Sequence, residues 1–310
     1  MKLLIMGAFK WSTEQIKQFT VNGFEVLFVE REDEQIQFDV SEIDVVICNW
    51  LFIKNDITKF KKLKCIQLLS AGLDRVPLDY IRHKGIVLYN ARGVYSIPMA
   101  EFAVCGILQI LKESRSFFVN QNKHIWEKNR NLKELNGKRV CVIGVGSVGL
   151  EIAKKLNAFT DRVYGVDLCP VENQYMRKVF PLNELSSELK LSDIVILTLP
   201  LTVETKGFFS KEKFNQMKEQ AIFVNIARGE LVDEDALMHA LDEKLLGAVI
   251  DVVKEEPLQE QSPLWDKENL LITPHNSFVS ENNNKRMWSL IIHNLKEFLL
   301  RNNGKNKYKK

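Results

Sequence analysis

Arg228, Glu256 and His275 are the side chains best equipped for chemistry in this sequence. Each stands just beyond a short apolar run. AIFVNIA precedes Arg228, GAVIDV precedes the segment VKEEPL that holds Glu256, and NLLIT precedes His275. An arginine can hold a carboxylate through two parallel hydrogen bonds. A histidine exchanges a proton near neutral pH, and a neighbouring carboxylate can orient its ring. Singly, each has a duller use: a surface ion pair, a solvated loop charge, a hydrogen bond to a backbone carbonyl. Three such groups at the carboxyl ends of strands in one sheet are another matter, because open α/β sheets bind ligands there.

VCVIGVGSVGLEIAKKL supplies a second constellation, Gly144-x-Gly146-x-x-Gly149. Three glycines at this spacing are a weak signal alone, since any tight turn can use them. Here a β-branched run precedes them and an amphipathic segment follows, which strengthens it. Gly144 permits the turn. Gly146, with Ser147 and Val148 after it, lets backbone amides approach a pyrophosphate, and Gly149 lets the helix pack closely on the sheet. The helix N-terminus favours the phosphate charge. Asp167 ends the next run, 18 residues after Gly149, where a carboxylate can accept from the adenosine ribose and repel a 2′-phosphate. Leu168, Cys169 and Pro170 follow it without an arginine, so NAD is expected over NADP. Beside a nicotinamide, the first set can reduce a 2-keto acid: hydride to C2, a proton from His275 to the oxygen.

These groups need a scaffold, and the apolar pattern describes one. The runs KLLIMG (2–7), FEVLFV (24–29), DVVICN (44–49), CIQLLS (65–70) and IVLYN (86–90) form a first series. They lack clean alternation, as expected for parallel strands covered on both faces by helices. PMAEFAVCGILQILKESRSFFVNQ, 98–121, reads as one long helix at the boundary. After the turn Asn136-Gly137 come RVCVIG, RVYGVD, DIVILTL, AIFVNIA, GAVIDV and NLLIT. Six such runs with intervening helices fit a doubly wound sheet. The last amphipathic helix, about 280–300, comes after that sheet is complete and is expected to return to the first unit. A cleft between two such units can close over a small ligand and exclude water.

Length and composition agree. At 310 residues, two domains are the natural expectation. The net charge of +3 comes from the tail RNNGKNKYKK, and residues 1–300 sum to about −2. The body has no basic stripe and no nucleic-acid motif, and no run is long enough to cross a bilayer. MKLLIMGAFK reads as a first strand rather than a signal peptide. Cys48, Cys65, Cys105, Cys141 and Cys169 are odd in number and far apart, without a C-x-x-C pair. That pattern predicts buried thiols in a reducing, cytoplasmic compartment and no metal site.

Taken in order, LLSAGLDRV, NARGVYSIPMAEF, VIGVGSVG with Asp167, LTLPLTVETKG, FVNIARGELVDEDAL, IDVVKEEPL and ITPH resemble the D-2-hydroxyacid dehydrogenase family along nearly the whole chain. The resemblance implies a Rossmann-type NAD-binding domain, 94–274, inserted into a smaller flavodoxin-like α/β substrate domain, 1–93 with 275–300, and a frayed basic tail at 301–310. It implies catalytic roles for Arg228, Glu256 and His275, and a carboxylate-binding loop at Ser70-Ala71-Gly72 that works through backbone amides. It adds Pro200, Ala227 and Asp251 to the cofactor contacts, with Asp251 near the nicotinamide amide, and implies a homodimer formed through the cofactor domain. The phosphoglycerate dehydrogenase branch usually carries an arginine–serine pair after the third strand. Here the residues are Asn49-Trp50-Leu51-Phe52, and Trp50 resembles the glyoxylate/hydroxypyruvate reductase branch instead. Core packing is an equal use for that tryptophan. Asn276-Ser277-Phe278 replaces the glycine pair that many relatives have after the histidine. Three readings stay open: reduction of a small 2-keto acid, oxidation of 3-phosphoglycerate, and NADH sensing by a binding protein of this fold.

Overall fold

The computed structural model describes residues 1–302, with the backbone alone for Asn302. The chain divides into two compact units: Met1–Tyr95 with the C-terminal segment from Ser280, and Ser96–Val279. Both are α/β, as expected.

In the first unit β1 (Lys2–Met6), β2 (Glu25–Val29), β3 (Val45–Cys48), β4 (Cys65–Leu68) and β5 (Val87–Tyr89) form a parallel sheet in the order β2-β1-β3-β4-β5. This is the flavodoxin-type order. The helices are α1 (Thr13–Val21), α2 (Leu51–Lys54) and α3 (Leu78–Lys84). All four residues of β3 and of β4 are buried, which explains why β3 is apolar throughout and β4 is apolar but for Gln67.

The second unit begins with α4 (Ser96–Leu111) and α5 (Ser114–Asn122), which replace the single helix expected over 98–121. The face of α4 carrying Ala100, Ala103, Ile107 and Leu111 is buried, whereas α5 buries nothing. The apolar stripe therefore ends at Leu111, and Glu113, at φ 49°, turns the chain. A parallel seven-stranded sheet follows: β6 (Val140–Ile143), β7 (Val163–Asp167), β8 (Lys178–Pro181), β9 (Ile194–Leu197), β10 (Ile222–Asn225), β11 (Gly247–Ile250) and β12 (Leu270–Ile272). Its order, β12-β11-β10-β9-β6-β7-β8, is the doubly wound one with an added strand, and its switch point lies between β6 and β9. The helices α6 (Ser147–Leu156), α7 (Leu185–Leu191), α8 (Lys211–Gln216) and α9 (Glu234–Glu243) complete the unit.

The last helix, α10 (Asn283–Asn302), belongs to the first unit. Met287, Ile291, Leu295 and Phe298, spaced as one helical face, are buried against residues of β1, β3 and β4. Burying each contributes roughly 1.5–3 kcal/mol. Asn294 Nδ2 donates to Gln67 Oε1 at 2.7 Å, a buried polar pair 227 residues apart in sequence. The helix runs through Arg301 and Asn302, expected as tail; the rest of that tail lies outside the described residues. The expectation of buried thiols holds for Cys48, Cys65 and Cys141 but needs correction for Cys105 and Cys169, which are exposed. Cys105 lies on α4 away from the stripe that faces the sheet, and Cys169 lies in the loop after β7.

Candidate active site

His275 follows β12 in a segment that the chain holds in an unfavourable conformation. Its φ is 50°, left-handed for a residue with a Cβ. Such a backbone persists only where the surroundings impose it, and Asp251 does so. The backbone N–H of His275 donates to Asp251 O at 2.7 Å. The Asp251 carboxylate accepts from Thr273 Oγ1 (2.7 Å), Asn276 N (2.8 Å) and Ser277 N (2.9 Å). Asp251 is fully buried. The residue expected beside the nicotinamide amide thus anchors the histidine loop from both sides.

The ring of His275 meets the acid expected for it. Nδ1 lies 2.8 Å from Glu256 Oε2, with the two side chains 28% and 40% exposed, so the pair is reachable from solvent. Phe278 packs edge-on to the imidazole at 5.8 Å between centroids. With Nδ1–H donating to the carboxylate, Nε2 is the nitrogen left to exchange a proton.

Arg228 leaves β10 through the NIARG turn. Asn225, 1% exposed, holds that turn: its Oδ1 accepts from Ala227 N (3.1 Å) and its Nδ2 donates to Arg228 O (2.9 Å). Arg228 Nη1 donates to Ala227 O at 2.8 Å. Gly229 brings this loop against the Glu256 loop: a Cβ there would lie 2.0 Å from the carbonyl carbon of Val253. Gly229→Ala should therefore force the two loops apart, lowering turnover about a hundredfold. The loss should exceed any change in cofactor affinity, as titration by fluorescence would show; unchanged turnover would dismiss the contact.

The glycine loop joins β6 to α6. Gly144 has φ 98°, and a Cβ at Gly149 would lie 2.2 Å from Gly144 O, so both positions require glycine. A Cβ at Gly146 would meet no protein atom within 4 Å. That glycine leaves open space in front of the turn, where Ser147 and Val148 begin the helix. Asp167 ends β7, its Oδ2 accepting from Val145 N (2.7 Å) and its Oδ1 from Cys169 N (2.9 Å). Across the switch point Thr198 Oγ1 donates to Gly144 O at 2.6 Å, and Thr205 Oγ1 closes the next turn onto Pro200 O at 2.7 Å. A backbone cradle, a helix N-terminus and a fixed carboxylate fit a dinucleotide.

In the first unit, the Ser70-Ala71-Gly72 loop follows β4. Ser70 Oγ donates to Gly72 O (3.0 Å), Asn90 Nδ2 to Ala71 O (2.7 Å) and Ala91 N to Ser70 O (2.8 Å). Trp50 is 45% exposed, so it is not a core residue. The sequence reading missed Asn225, Thr273 and Ser277, and it missed the anchoring use of Asp251. Polar residues at the ends of apolar runs, as in FVNIA and VIDV, were the available signal.

The family model for D-isomer specific 2-hydroxyacid dehydrogenase, NAD binding domain, matches residues 104–277. A hydroxypyruvate reductase from Blautia hydrogenotrophica is 30% identical over 280 residues, covering 86% of this chain and 85% of that protein. A D-3-phosphoglycerate dehydrogenase from Methanocaldococcus jannaschii is 30% identical over 271 residues, 86% of this chain but 52% of that protein. The chain therefore spans about half the length of that relative. Among solved structures, the D-isomer specific 2-hydroxyacid dehydrogenase from Xanthobacter autotrophicus Py2, in complex with NADPH and MES, has a TM-score of 0.77 and 27% identity. That match covers 95% of this chain and 93% of the other. Fold, motif set and relatives converge: the chain belongs to the D-isomer specific 2-hydroxyacid dehydrogenase family.

Proposed function

We propose that this protein reduces a small 2-keto acid, such as glyoxylate, hydroxypyruvate or pyruvate, with NADH. Family membership carries the reaction class, that of an NAD-dependent oxidoreductase acting on the CH–OH group of a 2-hydroxy acid. The observation that carries the reading is the 2.8 Å contact between His275 Nδ1 and Glu256 Oε2, just beyond the strands of a dinucleotide sheet. A bound nicotinamide supplies the hydride. Glu256 holds the imidazolium by Nδ1–H, and Nε2–H gives its proton to the substrate oxygen as the hydroxyl forms. Arg228 grips the substrate carboxylate, and the Ser70-Ala71-Gly72 loop of the first unit offers backbone amides that can hold a carboxylate. The test is NADH consumption by the purified protein with a panel of 2-keto acids. Tight NADH binding without turnover of any of them would favour a sensing protein instead.

NADH is the preferred cofactor in this reading. The Asp167 carboxylate, fixed by Val145 N and Cys169 N, offers acceptors to a ribose diol and repels a 2′-phosphate. The contacts of Gly144, Gly146, Ser147, Val148, Gly149, Pro200 and Ala227 complete the cofactor site. Asp167→Ala should weaken NADH more than NADPH, narrowing their ratio of affinities about tenfold; equal losses would remove the ribose argument. The reading also includes a homodimer formed through the cofactor unit. Its support is the exposed apolar surface of Phe117, Phe118 and Val119 on α5, with Ile125 and the 97%-exposed Trp126 beyond. Phe118→Glu with Trp126→Glu should give a monomer by light scattering, and an unchanged mass would move the interface elsewhere. The unpaired cysteines support a cytoplasmic setting. No helix among the described residues is long and apolar enough to cross a membrane.

A further inference from the structure

Glu256 works from an exposed stretch of chain. Val252 and Val253 are buried, but Lys254, Glu255, Glu256 and Pro257 are all exposed. Such a stretch has little packing to fix it, so its backbone bonds decide where the carboxylate stands. Among the described residues, the backbone of residues 254–257 makes one hydrogen bond: Lys254 N donates to Glu234 Oε1 at 2.6 Å. The same peptide lies against Gly229, where a Cβ would come within 2.4 Å of that nitrogen. Glu256 Oε1 accepts from Val253 N at 3.4 Å, and Oε2 meets His275 Nδ1 at 2.8 Å. Glu234 itself stands on a fixed element. It opens α9 directly after the cap Asp233, whose side chain accepts from Ala236 N at 3.1 Å. Ala236, Leu237, Ala240 and Leu241 bury that helix in the core. All of these groups belong to the second unit.

Resting on the reading above, we propose that Glu234 is a positioning residue for proton delivery, holding the Lys254 N–H so that the Glu256 carboxylate stands where it orients the His275 ring. It acts through Glu256. An ionised acceptor on a backbone amide makes a charge-assisted bond, stronger than a neutral one. The duller use of a glutamate here is to complement the positive end of the α9 helix dipole. The two uses differ in what they require. A helix dipole asks for negative charge in the first turn, whereas the amide asks for an acceptor oxygen at full glutamate reach. Glu234→Asp keeps the charge and shortens the reach by one methylene. Glu234→Gln keeps an acceptor at the same reach and drops the charge.

The test compares kcat, the KM of the keto acid and the Kd of NADH in the wild type, Glu234→Ala, Glu234→Asp and Glu234→Gln. Glu234→Ala and Glu234→Asp should lower kcat about tenfold with little change in KM or Kd, and Glu234→Gln should stay within about threefold of the wild type. In a Glu256→Ala background Glu234→Ala should cost nothing more, because no carboxylate is left to place. NMR of isotope-labelled histidine ring nitrogens reads the same hold without turnover. In alkaline buffer the wild-type His275 should show the Nδ1–H tautomer, and Glu234→Ala a mixture of the two. Wild-type kcat with an unchanged tautomer in Glu234→Ala overturns the assignment, as does a Glu234→Gln variant as slow as Glu234→Ala. If the wild type reduces no keto acid, the reductase reading falls, and the tautomer comparison then decides by itself whether Glu234 holds the pair.

Discussion

His275→Ala is expected to lower turnover of a 2-keto acid by a hundredfold to ten-thousandfold, the usual contribution of a positioned general acid, while NADH still binds. The imidazole is partly exposed and its Nδ1 is spoken for by Glu256, so the substitution removes the exchangeable proton and little packing. Stopped-flow measurement of NADH oxidation, with fluorescence titration of the cofactor, separates the two effects. Retained turnover would mean that another group, or water, protonates the oxygen.

Asp251→Ala is expected to damage both stability and catalysis. Its carboxylate is the acceptor for Thr273 Oγ1, Asn276 N and Ser277 N, and nothing apolar of the same shape replaces it. Leaving buried donors without an acceptor costs about 1–3 kcal/mol each. Loss of about 3 kcal/mol or more in urea unfolding is therefore expected. His275, at φ 50°, loses the frame that holds it there, and kcat should fall about a hundredfold through misplacement of the ring. Asp251→Asn retains one acceptor oxygen and should be milder in both respects. A stable variant with full kcat would show that the loop holds its conformation by other means.

Much of this was legible in the sequence. The fully buried parallel strands VVIC, VCVI and IVIL are apolar throughout, and turn residues mark their ends. β8 escaped notice because it is a sheet-edge strand, KVFP, with only one fully buried residue. The break between α4 and α5 escaped because helix-forming residues continue through it, and only the buried face stops. Gly144 and Gly149 were readable because steric need confines those positions to glycine. Hydrogen bonds between distant residues leave no such mark. The hold of Asp251 on Asn276 and Ser277, and of Asn49 on Arg75, spans about 25 residues in each case, and neither segment's local pattern requires it. The Glu256–His275 pair was inferred from two strand ends, whereas its 2.8 Å contact depended on the loop that Asp251 shapes.

The most direct test of the account is a double-mutant cycle on that pair, measuring kcat with saturating NADH for Glu256→Gln, His275→Ala and the combination. A carboxylate that acts by orienting the imidazole has nothing to do once the ring is gone, so the double variant should be no slower than His275→Ala alone. Multiplied losses in the double variant would contradict the assignment of the two side chains to a single proton-delivering unit.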